Sequence, residues 1–490
     1  MTIRTVDGDG QLATDGGTVG KDLPEGLLLA FYGDDFTGST DAMEVMAFAG
    51  LPTVLFVRPP TDAGLKRFRH HRGIGIAGTA RSSSPGWMDE HLPPVFRTLF
   101  SLAAPITQYK VCSTFDSSPT VGSIGRAIDL ALPLAAEEWS PLVVGAPQLQ
   151  RWQVFGNLFA GAGPVRHRLD RHPTMARHPM TPMGEADLAR HLAQQTGVPV
   201  ALVDAIDLMR GNGDAALQDA RAHGRIVSFD VMDDASQAEV GRLIWSNRGR
   251  GLFSASSSGL EYALVAWWRA AGMLRPSSEI ALPAAAPVDR LLVLSGSCSP
   301  ATADQIAHAV AAGFVPCQLD VLRVVDPGTR QAELDRVIRS ADRALQAGKD
   351  ALVYTAQSPD DATIASLREH CTAAGSSIVE AQQSLGNALG RIASKLLQRH
   401  ALPRVVLAGG DTSGRILTQL PVDALEAVSP LAKGSPICRC YSEVEQFNGM
   451  ELVMKGGQVG AADFFVAAKG AQRASAAAAS MPAPTVAKDN

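Results

Sequence analysis

Three aspartates and three Ser or Thr hydroxyls crowd into one stretch near the N-terminus, residues 32–41 (YGDDFTGSTD). Carboxylates in such a turn can accept a proton from a substrate hydroxyl, or they can grip a polyol or a hydrated metal ion. An ordinary solvated turn is the alternative, because Asp and Gly are common turn residues. The adjacent pair Asp34 and Asp35 is the candidate for the chemistry.

The elements around this stretch predict where the aspartate pair lies. An apolar run at residues 27–31 is typical of a strand buried on both faces. After the turn, Asp41 is expected to cap a helix with Glu44 in a capping-box arrangement, and Gly50 is expected to end it. A second strand is expected at 53–57. In open parallel sheets, ligands bind at loops outside the carboxyl ends of strands, which is where the pair would lie.

Two more polar loops follow predicted strands. Arg81 lies in a Ser-rich loop, and its planar guanidinium suits a substrate carboxylate, although a surface ion pair is equally compatible. Lys110 and Asp116 lie in residues 109–120 (YKVCSTFDSSPT). Lys110 could neutralise an anionic substrate or a moving phosphoryl group, and Asp116 could hold a sugar hydroxyl or a metal-bound water. A Ser/Thr-rich capping loop is the alternative for this segment.

The second half of the chain carries three Gly- and Ser-rich loops after predicted strands. The candidate nucleotide-binding residues in them are Ser295, Ser297, Gly409, Gly410, Asp411, Thr412, Gly456 and Gly457. Backbone N–H groups and helix N-termini at such loops can hold an anion, and glycine lets a phosphate approach closely. A single loop of this kind is often only a tight turn, but three together favour a nucleotide site. Because no G-x-x-x-x-G-K-[ST] sequence is present, the chain is not predicted to be a P-loop protein.

Two other motifs carry less weight. Residues 73–78 (GIGIAG) formally match a dinucleotide fingerprint, but the segment is itself strand-like and leads into a polar loop instead of a helix. The basic segment 166–179 (RHRLDRHPTMARHP) contains histidines, but its arginines would repel a metal ion. Contact with a phosphate or an acid is favoured there, with an exposed loop as the alternative and nucleic acid as a weak third interpretation.

Composition describes an ordinary globular chain. Its 490 residues exceed what one hydrophobic core usually serves, so two domains are expected. A net charge of −5 favours neither nucleic acid nor an anionic membrane as partner. The six scattered cysteines indicate a reduced, cytoplasmic chain, and we expect neither a signal peptide nor a membrane span. Residues 1–22 and 471–490 are predicted to be disordered tails.

Short apolar strands alternate with amphipathic helices, which predicts an α/β fold of mostly parallel sheets flanked by helices. The predicted strands are 27–32, 53–57, 73–77, 106–111, 142–145, 199–202 and 226–229, and then 291–295, 351–355, 404–408 and 451–455. A stretch of small residues at 283–287 (PAAAP) is interpreted as a linker. We therefore expect one domain at 23–280 and another at 288–470.

Taken in order, six motifs resemble those of the four-carbon acid sugar kinases, ATP-dependent enzymes that phosphorylate threonate, erythronate, 3-oxo-tetronate and related acids. The motifs are residues 33–41, 109–116, 178–182 (HPMTP), 295–297, 409–412 and 455–457. The similarity spans nearly the whole chain between the predicted tails. It implies an N-terminal acid-sugar domain and a C-terminal nucleotide domain, with the active site in the cleft between them.

Residue roles follow from this resemblance. It implies that Asp34, Asp35, Arg81 and Lys110 bind the substrate, with Asp35 or Asp34 as the base that takes the hydroxyl proton. For ATP it implies Ser295, residues 409–412 and Gly456. Magnesium is expected to arrive with the nucleotide, held largely by phosphates and water and with Asp411 nearby, so no metal site made of protein ligands alone is predicted.

Two departures from the family pattern leave the substrate open. After Lys110, the sequence VCSTFDSSP replaces the DSTLRG-type segment common in the family, and residues 151–178 form a longer insertion. A branched acid such as 3-oxo-isoapionate is therefore an alternative to the four-carbon acids. An NAD(P)-dependent hydroxyacid oxidoreductase and a non-catalytic acid-sugar sensor are the alternatives from other functional classes. A homo-oligomer is compatible with the sequence.

Overall fold

The computed structural model describes residues 22–178, 180–356, 362–375 and 377–470. The predicted tails, up to residue 21 and from residue 471, and position 179 of the motif at 178–182 lie outside these residues. The strands are β1 Leu29–Gly33, β2 Thr53–Phe56, β3 Gly73–Ala77, β4 Ile106–Lys110, β5 Ser140–Leu142, β6 Arg151–Val154, β7 Asn157–Ala162, β8 Val165–Arg168, β9 Val200–Val203, β10 Ile226–Phe229, β11 Leu252–Ser256, β12 Leu292–Ser295, β13 Val315–Gln318, β14 Ala351–Tyr354, β15 Arg404–Ala408, β16 Ala424–Ala432, β17 Ser435–Tyr441 and β18 Glu451–Lys455.

The helices alternate with these strands along most of the chain. They are α1 Phe36–Phe48, α2 Asp62–Arg67, α3 Pro85–Ser101, α4 Ile124–Ala131, α5 Leu188–Leu192, α6 Ala205–Met209, α7 Gly213–His223, α8 Asp234–Ser246, α9 Gly259–Ala270, α10 Pro300–Ala311, α11 Val321–Val325, α12 Pro327–Gln346, α13 Ala362–Ala374, α14 Ile378–Arg399, α15 Gly410–Leu417 and α16 Phe464–Gly470.

Most strands join one sheet of 12 strands in the order β11-β4-β1-β3-β2-β16-β17-β18-β15-β12-β14-β13. Neighbours are parallel from β11 to β2 and again from β18 to β13, and β2 pairs with β16 in antiparallel fashion. The predicted α/β class with mostly parallel strands is confirmed. The sequence did not indicate that strands from both halves of the chain belong to one continuous sheet.

The antiparallel strands in the middle of the sheet set the relative orientation of the two halves of the chain. Because direction alternates through β2, β16, β17 and β18, the parallel strands of the two halves run in opposite directions. Register shifts in β16 on either side of Ser429 mark bulges, which bend a strand and increase its twist. The halves pack closely: a Cβ added to Gly414 in α15 would lie only 2.4 Å from Cδ2 of Phe36 in α1.

The predicted strands at 73–77, 226–229, 404–408 and 451–455 match β3, β10, β15 and β18 residue for residue. The expected strand at 142–145 lies earlier, at Ser140–Leu142. Strands β6, β7, β8, β11, β13, β16 and β17 were not predicted. Of these, β6, β7 and β8 form a separate antiparallel sheet within residues 151–178. The strands β5, β10 and β9 form a small parallel sheet.

Helix α1 begins earlier than the sequence indicated. Its N-cap is Asp35, whose side chain accepts a backbone N–H of the first turn. The prediction that Asp41 caps this helix with Glu44 was wrong, because both residues lie inside the helix and are buried. Asp41 accepts a hydrogen bond from the Ser258 hydroxyl, and Glu44 accepts the N–H of Gly434 at 2.8 Å. The Asp-x-x-Glu spacing of a capping box also occurs inside helices, where the two carboxylates can pair with groups from distant parts of the chain.

The stretch at 283–287 is packed against the C-terminal half. The N–H of Ala285 donates to the Ser429 hydroxyl at 3.2 Å, and the carbonyl of Ala286 accepts from Arg404 Nη2 at 2.8 Å. Within the described ranges, no helix has both the length and the apolar character that crossing a membrane requires. The cytoplasmic location, the domain boundaries and the oligomeric state stay predictions.

Candidate active site

Asp35 is held from three sides in the loop after β1. Its Oδ1 accepts the N–H of Gly38 at 3.1 Å, and its Oδ2 accepts the Thr37 hydroxyl at 2.6 Å. The guanidinium of Arg81 lies 3.0 Å from the same Oδ2. Burial opposes ionisation of Asp35, but the charges of Arg81 and Lys110 outweigh it and lower the pKa of this carboxyl. Asp35 is therefore a fixed anion with both oxygens engaged.

Asp34 has the opposite environment. Its carboxyl is 2% exposed, and its Oδ1 has no hydrogen-bond partner among the described residues. Burial and the neighbouring charge of Asp35 raise the pKa of Asp34 well above its usual value. A carboxyl of this kind is a stronger base once ionised, so the two adjacent aspartates are suited to different tasks.

Lys110, at the end of β4, lies among these carboxylates. Its Nζ donates to the Val111 carbonyl at 2.9 Å. Burial lowers the pKa of the ammonium, but the charges of Asp41, Asp35 and Asp34 reverse that effect and raise it. The space is tight, because a Cβ added to Gly38 would lie 2.3 Å from Oδ1 of Asp35 and 2.8 Å from Nζ of Lys110.

Asp116 completes the charged group. Its Oδ1 accepts the Thr114 hydroxyl at 2.5 Å. Burial raises the pKa of Asp116, but the charge of Arg81 and the Thr114 hydrogen bond outweigh burial and lower it. We refer to Asp34, Asp35, Arg81, Lys110 and Asp116 as the acceptor cluster.

Arg81 links this cluster to the other half of the chain. Its Nη2 lies 3.0 Å from Oδ1 of Asp411, whose side chain is 52% exposed. A Cβ added to Gly410 would lie 3.0 Å from the same Nη2. The structure thus brings a predicted substrate residue and two predicted nucleotide residues together where the two halves meet.

Hydroxyl groups join two of the Gly- and Ser-rich loops of the C-terminal half. The hydroxyl of Thr302 donates to Ser297 Oγ at 3.0 Å and lies 3.0 Å from the carbonyl of Gly457. The Ser299 hydroxyl also donates to that carbonyl. These bonds hold the loops after β12 and β18 together.

Glycines let these loops approach one another. A Cβ added to Gly296 would lie 2.5 Å from Oγ1 of Thr412, and one added to Gly457 would lie 3.0 Å from Oγ of Ser297. Gly409 has a φ of +117°, a conformation that favours glycine. The hydroxyl of Ser295 is buried without a hydrogen-bond partner among the described residues. We refer to these loops and their hydroxyls as the nucleotide cradle.

Lys455 belongs to the motif at 455–457 but is not among the predicted site residues. It is fully buried, and its Nζ donates to the Thr302 hydroxyl at 2.9 Å. Burial lowers the pKa of Lys455 to about 7. A lysine at the last position of an apolar strand, directly before two glycines, was the sequence signal that could have identified it. In the ranges that the structure covers, no group of three or more His, Cys, Asp or Glu could hold a metal ion.

Both halves of the chain match known domain families. A sequence model described as a sugar-binding N-terminal domain matches residues 29–264, and one described as a nucleotide-binding C-terminal domain matches residues 292–465. The 3-oxo-isoapionate kinase of Paraburkholderia graminis is 49% identical over 92% of this chain and 95% of its own. The 3-oxo-tetronate kinase of Methylobacterium radiotolerans is 32% identical over 90% of this chain and 98% of its own.

Solved structures show the same fold at low sequence identity. A Salmonella typhimurium protein superposes with a TM-score of 0.71 at 23% identity, covering 91% of this chain and 98% of its own. A Haemophilus influenzae protein gives a TM-score of 0.65 at 23% identity, covering 90% and 99%. These two comparisons concern the fold alone. The two matched domains and the two kinases confirm the resemblance of the six motifs: the chain belongs to the four-carbon acid sugar kinase family.

Proposed function

We propose that this protein transfers the γ-phosphoryl group of ATP to a hydroxyl of a branched 3-oxo sugar acid such as 3-oxo-isoapionate. The observation that carries this choice is the 49% identity to the 3-oxo-isoapionate kinase, against 32% to the 3-oxo-tetronate kinase. The departures after Lys110 and in the 151–178 insertion support the same choice, because they alter the acceptor side of the cleft. The unbranched 3-oxo-tetronate is the competing substrate.

In this proposal Asp34 is the base. Its carboxyl has a raised pKa and an unpaired oxygen, so it can take the proton of the attacking hydroxyl. Asp35 is occupied by Thr37, Gly38 and Arg81, so it keeps Arg81 in place instead. This narrows the sequence-based prediction, which left both aspartates open as the base.

Cations near the transferred group stabilise the charge that develops during phosphoryl transfer. Lys110 and Arg81 are the candidates, since both are charged and act on Asp34; Lys110 is fully buried and Arg81 is partly buried. Arg81 also contacts Asp411, so it can respond to both the acceptor and the nucleotide. Closure of the cleft around both substrates would exclude water, which competes as a phosphoryl acceptor.

The nucleotide cradle is proposed to bind ATP through backbone N–H groups and hydroxyls. Ser295, Ser297 and Thr412 supply hydroxyls, and the glycines at 409–410 and 456–457 carry no side chain that would keep a phosphate from the backbone N–H groups. Magnesium bound to the phosphates would offset their negative charge and align the γ-phosphoryl group, with the partly exposed Asp411 as the nearest predicted carboxylate.

An ADP-release assay with a panel of sugar acids tests this proposal. We expect ADP formation to depend on the added acid and to be fastest with 3-oxo-isoapionate. A preference for 3-oxo-tetronate would overturn the branched substrate but keep the reaction class. Acid binding without any ADP formation would instead support a sensor, and NAD(P)H oxidation on addition of an acid would support an oxidoreductase.

A further inference from the structure

Residues 111–122, which we call the Asp116 loop, lie between the two cations of the acceptor cluster. The loop directly follows Lys110 in the chain, and its last residue, Gly122, touches the loop that carries Arg81. A Cβ added to Gly122 would lie only 2.3 Å from the carbonyl oxygen of Arg81. The N–H of Gly122 donates to another carbonyl of the Arg81 loop at 2.8 Å. These contacts fix both ends of the segment whose middle carries Asp116.

Phe115, directly before Asp116, has an unusual backbone conformation. Its φ is +54°, in the left-handed region, and its side chain is fully buried. A bulky residue rarely adopts this conformation, and it persists only where the surrounding structure fixes it. Backbone strain of this kind is concentrated at functional sites. The contacts that hold Phe115 therefore also set the direction of the Asp116 side chain.

His191, in helix α5, contacts the residues on both sides of Asp116. Its Nε2 lies 2.8 Å from the Ser117 hydroxyl, and the centre of its ring lies 5.9 Å from that of Phe115. The Ser117 hydroxyl also lies 3.1 Å from the carbonyl of Phe115, so these groups form one set of contacts. Burial lowers the pKa of His191, so the ring is uncharged near neutral pH. His191 can therefore hold the loop without offsetting the charge of Asp116.

Gln195, one helical turn beyond His191 in sequence, supports the same hydroxyl. Its Nε2 donates to Ser117 Oγ at 2.9 Å and lies 3.0 Å from Nε2 of His191. Its Oε1 accepts the N–H of Gly125 in α4 at 3.3 Å. A Cβ added to Gly125 would lie 2.5 Å from Cβ of Gln195, so the packing leaves no space for movement. The Asp116 loop is thus held by polar side chains that are not members of the acceptor cluster.

From these contacts we infer that His191 is a positioning residue of the acceptor site, which holds Phe115 and Ser117 so that the Asp116 carboxylate can bind a hydroxyl of the sugar acid. The inference rests on the proposed function and on the predicted role of Asp116 in substrate binding. The Asp116 loop includes the segment VCSTFDSSP, where the sequence departs from the family pattern. The conformation that His191 fixes would therefore help to distinguish the branched acid from 3-oxo-tetronate.

The variants His191→Ala and His191→Gln test this role, each alone and in an Asp116→Asn background. Thr196→Val is the matched control, because Thr196 follows α5 and its hydroxyl donates to Asp129 in α4 at 2.6 Å. Two readouts are needed: steady-state kinetics with 3-oxo-isoapionate and 3-oxo-tetronate, and titration calorimetry of 3-oxo-isoapionate without ATP. If His191→Ala does not fold, Ser117→Ala takes its place, since it removes the same hydrogen bond with a smaller change.

We expect His191→Ala to raise the KM and the Kd for 3-oxo-isoapionate about 10-fold, the usual effect of losing one hydrogen bond to a charged group. The KM for ATP should stay within about twofold of the wild type, as for distant sites that do not interact. The preference for the branched acid should narrow. His191→Gln should recover part of the affinity, because its amide can reach the Ser117 hydroxyl, and Thr196→Val should behave like the wild type.

The Asp116→Asn background separates positioning from a merely structural role. If His191 acts through Asp116, His191→Ala should cause no further loss of acid affinity once Asp116 is replaced. A structural role would add its full loss in that background and would overturn the inference. Unchanged acid affinity in His191→Ala or in Asp116→Asn would overturn it too, as would an equal loss in Thr196→Val.

The same measurements distinguish failure of this inference from failure of the proposed function. If the wild type releases no ADP with any acid, the proposed function fails. The calorimetry still decides on His191 in that case, since acid binding that weakens in His191→Ala but not in Thr196→Val supports it. A wild type that binds no acid overturns both proposals.

Discussion

The two sides of the cleft are built from different chemistry. The acceptor cluster packs three carboxylates, an ammonium and a guanidinium into one largely buried group. The nucleotide cradle consists of hydroxyls, glycines and backbone, with Lys455 as its buried titratable residue and Asp411 at its exposed edge.

This difference follows from what each side has to bind. A sugar acid is small, and one of its hydroxyls must lose a proton, so its site needs charged groups with shifted pKa values. A nucleotide brings its own charges, and Mg²⁺ can offset them, so backbone N–H groups and hydroxyls suffice. Substitution of a charged side chain should therefore impair the acceptor side. Substitution of a glycine by a larger residue should impair whichever side the glycine belongs to.

The largest effect is expected from Asp34→Asn. Loss of a general base slows turnover by about 10²- to 10⁴-fold, and binding of ATP should persist because the cradle is not altered. Asp35→Asn should reduce turnover less, since asparagine can still cap α1 and only the charge beside Arg81 is lost. Near-normal turnover in both variants, measured by ADP release, would exclude this pair as the source of the base.

A pH profile sharpens the same prediction. Asp34 must be ionised to act as a base, and its pKa lies well above that of an ordinary carboxyl. In the wild type, kcat/KM for the acid should therefore fall as the pH is lowered through this raised pKa. The falling limb should be absent from the residual activity of Asp34→Asn.

Arg81→Met should be the next most damaging change. It leaves Asp35 buried without its cation, and breaking a buried pair destabilises a protein by about 3–5 kcal/mol. Urea unfolding of the variant measures this loss. The double variant Arg81→Met/Asp35→Asn should recover part of the stability, because Asp35 no longer places an unpaired charge in the interior. A double variant less stable than the sum of the single changes would argue against the pair.

Gly38→Ala and Gly296→Ala form a matched pair across the cleft. Each added Cβ would collide with a neighbour, Oδ1 of Asp35 at 2.3 Å in one case and Oγ1 of Thr412 at 2.5 Å in the other. Overpacking of this kind should weaken binding by about 10-fold or more on the affected side. We expect Gly38→Ala to raise the KM of the acid and Gly296→Ala to raise the KM of ATP. If both variants changed the KM of the acid and the KM of ATP in the same way, the two sides of the cleft would not bind their ligands separately.

The smallest effect concerns the pH dependence of stability at Lys455. Its pKa in the folded protein is about 7, below the ordinary value of 10.5, so the unfolded chain binds more protons between these two values. The free energy of unfolding of the wild type should therefore rise with pH across this interval. Lys455→Met should show a shallower rise in the same series of urea titrations. Equal slopes would mean that Lys455 keeps an ordinary pKa.

The fold was predictable where the local pattern alone decides it. Strand β3 is an example, since Ile74 and Ile76 alternate with small residues in a short segment that is buried on both faces. Strand β8 was not predictable, because its sequence VRHR is half exposed and its pairing depends on β7. The continuity of the sheet through β2 and β16 depends on residues about 370 positions apart, for example Val54 and Glu426.

The candidate site shows the same division. The motif residues were visible in sequence because they cluster after strands, and the structure brings Arg81 within reach of Asp35 and Asp411. The separate environments of Asp34 and Asp35 were not visible, because they depend on burial, which raises the pKa of Asp34, and on Arg81 and Lys110 from distant loops, which lower the pKa of Asp35. Asp41 was misassigned for a related reason: its partner Ser258 is 217 residues away.

The central claim is that the acceptor cluster carries the proton-transfer chemistry while the nucleotide cradle binds ATP without needing the Asp34 carboxylate. Calorimetric titration of Asp34→Asn with a non-hydrolysable ATP analogue and Mg²⁺, alongside its ADP-release rate, tests this claim most directly. The account predicts a nucleotide Kd within about twofold of the wild type, as expected for sites that do not interact, together with the loss of turnover. A nucleotide affinity that falls in parallel with turnover would contradict it.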